Sequence, residues 1–253
     1  MLDKGTARFA VYCCLAFPLV FFAGMIIAGL FPLPSPDMSL QEVRDFYGDD
    51  PTRMRLGLFI MVASAPLQAP IFGLIAVHMK RIEGSQSPLT YTQILLAAVA
   101  ILAVLIPVMM MINLAYRPDG RDLQTIQFFH DQAWLIFVGM WSAASMQSLV
   151  IAIAVLRDRR AEPVIPRWYG YFNLWVATLF IPGGLIYFFK SGAFAWNGAF
   201  AFWLPATVFG TWFMVSGLLF GKLTNEQPDE ESVATEPARA AAPTEAPATE
   251  PAA

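Results

Sequence analysis

The sequence predicts an all-α polytopic membrane protein, a bundle of six transmembrane helices with a short amphipathic helix on its outer side. Three observations predict it. The 253 residues are 57% hydrophobic and only 14% charged, whereas a soluble domain has about 45–50% and about 25%. The apolar residues gather into six blocks, at about 9–31, 56–78, 92–115, 132–156, 169–189 and 199–220, each near the roughly 20 residues that cross a hydrocarbon core of about 30 Å. No block alternates apolar with polar residues as a membrane barrel strand does. Backbone groups in lipid must pair within their own segment, so each block is expected to be a helix.

The first block follows Lys4 and Arg8 and ends in Pro32-Leu33-Pro34-Ser35-Pro36. It is longer than the 7–15 apolar residues of a secretory signal and lacks a small-residue cleavage motif, so it reads as a retained span. Cys13 and Cys14 lie inside it; nothing else in the chain can pair with them, and they read as small apolar fillers.

The connection 32–55 specifies a helix of its own. Ser39 followed by Glu42 is a capping box. Leu40, Val43, Phe46 and Tyr47 then share one face, and Gln41, Arg44 and Asp45 the other. Gly48 is expected to take a left-handed C-terminal cap. Asp50-Pro51 reads as the N-cap and first-turn proline of the second block. The result is an outer helix over 39–47, either a lid on the bundle mouth or a helix lying in the interface.

In the second block Ser64 and Gln68 share a face between Pro66 and Pro70, which loosen the hydrogen-bond ladder. The third ends in Met109-Met110-Met111 and Asn113. Arg117-Pro118-Asp119-Gly120 is a turn, after which Asp122 can cap a helix starting at Leu123. A continuous helix over 123–156 is about 51 Å long, so it either projects from the membrane or breaks near His130-Asp131. Asp131, Trp134, Val138, Trp141, Ser145 and Ser148 form one stripe along it, with Gln147 at mid-depth. The fifth block carries Pro182-Gly183-Gly184 and the sixth Pro205 and Gly210; broken spans of this kind line binding sites in transporters.

Lysine and arginine set the orientation. Lys4, Arg8, Lys80, Arg81, Arg157, Arg159, Arg160, Arg167, Lys222 and Arg239 fall on one side; Arg44, Arg53, Arg55, Arg117, Arg121 and Lys190 fall on the other. The richer side is expected in the cytoplasm, with both termini. Residues 223–253, rich in Glu, Pro and Ala, read as a disordered acidic tail.

Polar residues inside spans are costly and so are candidates for function. The richest expected cluster is on the outer side: Arg55, Asn113, His130, Asp131 and Lys190, with Asp131 meeting Arg55 or Lys190 beneath the 39–47 helix, as an ion pair or a ligand site. Gln68 and Gln147 form a second candidate at mid-depth. Enzymatic signatures are sparse. His78 and His130, the only histidines, are expected about a bilayer apart, which excludes a shared haem. The Cys and His residues cannot assemble a four-ligand structural zinc site, and no metal or cofactor is expected. No Gly-x-Ser-x-Gly, His-Glu-x-x-His or P-loop pattern occurs. The net charge of −3 and the lack of a basic stripe speak against a nucleic-acid partner.

The 39–47 segment, the sequence Pro166-Arg167-Trp168-Tyr169-Gly170 and the compact loops resemble an uncharacterised family of six-span bacterial inner-membrane proteins, over about residues 5–222. The resemblance implies that fold and a bacterial inner membrane, not an activity. The residues themselves lead to a non-enzymatic expectation: a protein that binds or passes an apolar small molecule or lipid through a Phe-, Met- and Trp-rich bundle. The alternatives are an assembly partner for another membrane protein or a homo-oligomer, and an intramembrane enzyme using His130 and Asp131.

Overall fold

The computed structural model describes residues 3–226; the acidic tail beyond 226 lies outside the described residues. Those residues are all-helical, with no strand among them. The α-helices are α1 (Lys4–Ile27), α2 (Leu40–Gly48), α3 (Pro51–Ser64), α4 (Ala69–Glu83), α5 (Pro88–Tyr116), α6 (Leu123–Gly139), α7 (Trp141–Arg157), α8 (Arg167–Leu179) and α9 (Leu204–Asn225). Five helical stretches are long and apolar enough to cross a membrane: Lys4–Ile27, Pro51–Glu83, Pro88–Tyr116, Leu123–Arg157 and Gly192–Asn225. This is the build of a multi-pass membrane protein.

Local chemistry starts the helices where the sequence places them. Ser39 Oγ accepts from Glu42 N and Glu42 Oε2 from Ser39 N, at 3.3 and 2.7 Å, closing the capping box of α2. Asp50 accepts from Arg53 N ahead of α3, and Asp122 from Thr125 N ahead of α6. Such caps satisfy amides that the first turn leaves without a partner. α5 is capped from a distance: Glu83, the last residue of α4, accepts from Leu89 N and Thr90 N at 2.9 and 2.7 Å.

The helices break where proline or glycine meets tertiary contact. Between Pro66 and Pro70, Ala65–Gln68 tightens into a 3₁₀ turn joining α3 to α4. The long fourth helix neither runs straight nor breaks near His130-Asp131; it breaks at Met140 (φ −79°, ψ 42°). There Tyr187 Oη donates to the Gly139 carbonyl at 2.8 Å, supplying that carbonyl with a partner away from the helix ladder. The fifth block is not one long helix either. α8 has 13 residues, and Pro182-Gly183-Gly184 turn the chain into a 3₁₀ segment, Ile181–Tyr187. A five-residue π segment, Ala199–Trp203, precedes α9. Gly48 closes α2 in ordinary right-handed geometry, followed by Asp49 in the same region; its expected left-handed cap is absent because the chain turns directly into α3.

Side-chain pairs fix which loops share an end. Arg8 reaches Asn225 at 3.4 Å, Arg160 donates to the Arg81 carbonyl at 2.6 Å, and the His78 and Phe220 rings lie 5.1 Å apart. The start of α1, the α4–α5 and α7–α8 loops and the end of α9 therefore gather together. At the opposite end Arg44 pairs with Asp119, the Trp196 indole donates to the Pro34 carbonyl at 2.9 Å, and Phe31 stacks on Trp203.

The helices meet through small residues and aromatic rings. Gly24 and Gly57 bring the α1 and α3 backbones into contact. Phe17, Phe213, Phe220, Tyr169 and Trp134 are fully buried. The polar groups between α8 and α9 are matched: the Tyr169 and Ser216 hydroxyls lie 2.7 Å apart, and the Trp212 indole donates to Asn173 Oδ1 at 3.0 Å. These are the interhelical hydrogen bonds that hold membrane bundles together.

Candidate functional site

Three polar groupings and one cavity are available for function. Among the described residues the expected five share no hydrogen bond with one another. Arg55 folds back on its own helix, donating to the Pro51 carbonyl at 2.9 Å and Thr52 Oγ1 at 3.3 Å. Asn113 is exposed and is taken by Arg121, whose guanidinium donates to its Oδ1 at 2.5 Å and to its carbonyl at 2.9 Å. Asp131 is half-buried, with Lys190 acting on it through space but no direct ion pair between them among the described residues.

His130 lies beneath α2, and Asp131 is near enough to act through space on Tyr47 of that helix. It is 1% exposed, and its Nδ1 lies 2.9 Å from Tyr47 Oη, with the donor set by the tautomer. Burial pushes the Tyr47 phenol well above its ordinary value, so the hydroxyl stays protonated. Trp134, Trp196 and Phe46 complete an aromatic box around the imidazole, at 5.7 to 6.3 Å between ring centres. Among the described residues the hydrogen bond of the His130 side chain is the one to Tyr47. The hydrogen bond from Ser39 holds the Glu42 carboxyl below its ordinary range, and the one from Thr125 does the same for Asp122.

At mid-depth Gln68 is fully buried and donates to the Ala65 carbonyl at 3.2 Å, and Ser64 turns to the Met61 carbonyl at 2.8 Å. Both thus satisfy the loosened 3₁₀ turn. Gln68 Oε1, Gln147 Nε2, and both amide atoms of the buried Gln93 have no partner among the described residues. Gln93 escaped sequence reading because a lone amide near the start of an apolar helix resembles ordinary capping polarity.

An apolar cavity between the helices has room for a ligand. It has a volume of about 130 Å³ and is half enclosed. α5 contributes Ala100, Ala103 and Val104; α1 contributes Phe21, Phe22 and Met25; Phe137 to Ala144 span the α6–α7 break; and Ala201 to Phe209 enter α9. Every lining side chain is apolar or aromatic, the Trp141 indole N–H being the sole polar side-chain group among them. The α6–α7 break lines one side of the cavity together with Phe180, which precedes the 3₁₀ segment packed against that break. A β-carbon on Gly184 would lie 2.1 Å from Trp141 Nε1, and one on Gly139 would lie 2.5 Å from the Tyr187 hydroxyl. The glycines thus admit these two rings. Phe137 links the cavity to the aromatic box, 5.8 Å from Trp134 and 6.2 Å from Phe21. The sequence signals were Pro182-Gly183-Gly184 and Pro205; the alanines that leave the space carry no signal of their own.

Among the described residues no three of His, Cys, Asp and Glu gather so as to hold a metal ion. No protein-family model, curated protein or solved structure matches the chain. Fold and cavity define a class, the multi-pass helical membrane proteins.

Proposed function

We propose that the protein is a non-enzymatic, six-span membrane protein that binds or passes an apolar small molecule or a lipid chain through the cavity between α1, α5, α7 and α9. The single observation that carries this reading is the cavity's lining. About 130 Å³ bounded by Phe, Met, Ala and Trp is close to the roughly 150 Å³ that stays dry and takes up benzene in a protein interior. A group of ring or short-chain size is the occupant such a space favours.

Six spans agree with the gathering of the loops at two ends. The 13 residues of α8 and seven of the 3₁₀ segment extend about 34 Å at 1.5 and 2.0 Å per residue, enough for a hydrocarbon core of about 30 Å. Nine of the described lysines and arginines lie at the end shared by Lys4 and Lys222, and six at the α2 end. That excess favours cytoplasmic termini in a bacterial inner membrane, with α2 outside.

The experiment is photolabelling of the purified protein with an alkyl diazirine. Labels are expected on α5 and α9. The double variant Ala103→Leu/Ala206→Leu, which fills the cavity, should lose them while melting no lower, since filling a cavity commonly stabilises. Unchanged labelling in a folded double variant would overturn the proposal.

A further inference from the structure

A second site lies apart from the cavity, where α5 meets the loop leading to α6. A shallow groove of about 420 Å³ is lined by Met109, Ile112, Asn113, Tyr116, Arg117 and Arg121. Two guanidiniums face it. Arg121 is held in place by its two bonds to Asn113, and Arg117 lies 5.6 Å over the Tyr116 ring. Neither has a carboxylate partner among the described residues. The nearby acids are committed elsewhere, Asp119 to Arg44 and Asp122 to Thr125. The groove therefore presents net positive charge with open hydrogen-bond donors.

What lies below the groove is equally specific. Leu102, Ile106 and Met109 are exposed at spacings of four and three residues, and Asn113 and Tyr116 continue the same stripe. Residues so spaced share one helix face. That face is an apolar track running about 16 Å from Leu102 to Asn113 at 1.5 Å per residue, ending at the two arginines. Guanidinium forks suit phosphate oxygens in a way that a lone ammonium does not. A tyrosine at the head of such a track sits where aromatic side chains favour the membrane interface.

The geometry points to a binding site for an anionic phospholipid, its phosphate held by Arg117 and Arg121 and one acyl chain lying along Met109, Ile106 and Leu102. The site is independent of the cavity, and neither requires the other.

The test uses the full chain in detergent micelles, titrated with phosphatidylglycerol and with phosphatidylcholine of the same chain length, and followed by thermal shift. Phosphatidylglycerol is expected to bind more tightly. Arg117→Gln and Arg121→Gln should each weaken it about fivefold and leave phosphatidylcholine unchanged. Among the described residues the Arg117 guanidinium makes only the ring contact, so its variant keeps the test valid if Arg121→Gln loosens the loop. Inorganic phosphate should give no shift. Equal binding of the two lipids, or undiminished phosphatidylglycerol binding by Arg117→Gln, would overturn the site. A shift by phosphate alone would overturn the lipid as its ligand.

Discussion

Replacing Gly57 by alanine probes the closest backbone approach in the bundle. A β-carbon at that position would lie 2.2 Å from the Ala28 amide nitrogen and 2.5 Å from the Gly24 carbonyl oxygen. Non-bonded heavy atoms rest at about 3.5–4.0 Å, and a gap of 0.5–1 Å forfeits a quarter to a half of each contact. Since both obstacles are main chain, no rotamer can relieve the clash, and α1 and α3 must separate by roughly 1 Å. Overpacking costs about 1–3 kcal/mol, and the upper end applies here because two backbones must move. Helix propensity returns up to about 1 kcal/mol on changing glycine to alanine, leaving a net loss of about 2 kcal/mol. Gly73 supplies the control. It is exposed within α4, and a β-carbon there meets nothing within 4 Å, so Gly73→Ala retains only the propensity gain. The two single-methyl changes should thus differ by about 3 kcal/mol, more than a hundredfold in the folded-to-unfolded ratio. Reversible unfolding in mixed micelles measures both. If Gly57→Ala unfolds at the same denaturant concentration as Gly73→Ala, the close α1–α3 crossing is wrong.

Tyr47→Phe should destabilise the protein by about 1–3 kcal/mol, because it leaves the buried His130 Nδ1 without its partner; a melting temperature equal to the native one would mean that the pair carries no weight. The Glu42 carboxyl is held below its ordinary value by the bonds from Ser39, so its contribution to α2 is complete above the ordinary range of about 4.5 and is lost as the pH falls through the lower folded value. A spin label at Gln41 should accordingly gain mobility in acid, and Glu42→Gln should flatten that profile; mobility that is independent of pH counts against the cap. For topology, cysteine at Ser39 or Asp119 should react with an impermeant thiol reagent in intact cells while cysteine at Ser85 should not, and the reverse pattern would invert the orientation.

The helix starts were legible because their chemistry is local. Ser39 with Glu42, Asp50 with Arg53 and Asp122 with Thr125 act across three residues, a distance over which sequence order already implies proximity. The 3₁₀ turn at Ala65–Gln68 was legible in the same way, from Pro66 and Pro70. Breaks caused by partners were not. Gly139 alone did not mark the break at Met140, because an isolated glycine is tolerated inside a helix; the break is explained by Tyr187, 48 residues beyond Gly139, taking its carbonyl. The same limit applies to the expected polar cluster, whose members do not hydrogen-bond to one another among the described residues. Placing Arg55, Asn113, Asp131 and Lys190 at one end of the bundle was an inference about depth, and depth says nothing about azimuth around a helix. Arg55 and Asn113 found partners on their own helix or in the adjoining loop, whereas His130, one position before Asp131, turned inward to Tyr47.

Cavity and broken segments have one cause. Irregular backbone leaves buried peptide groups without a helix-ladder partner, so Pro182-Gly183-Gly184 and the break at Met140 each require a partner. They supply one another: Gly184 lets the Trp141 indole lie against the 3₁₀ backbone, and Tyr187 returns to the Gly139 carbonyl. Two irregular segments locked together cannot follow the straight faces of α1, α5 and α9. Alanine at 100, 103, 144 and 206 keeps side chains short along the divergent surfaces, so the space left between them stays open. The position of the cavity therefore depends on glycine and tyrosine contacts outside its lining, whereas its apolar character is set by the phenylalanines and alanines that line it. Variants of the first kind should displace the site, and variants of the second should change what fits inside it.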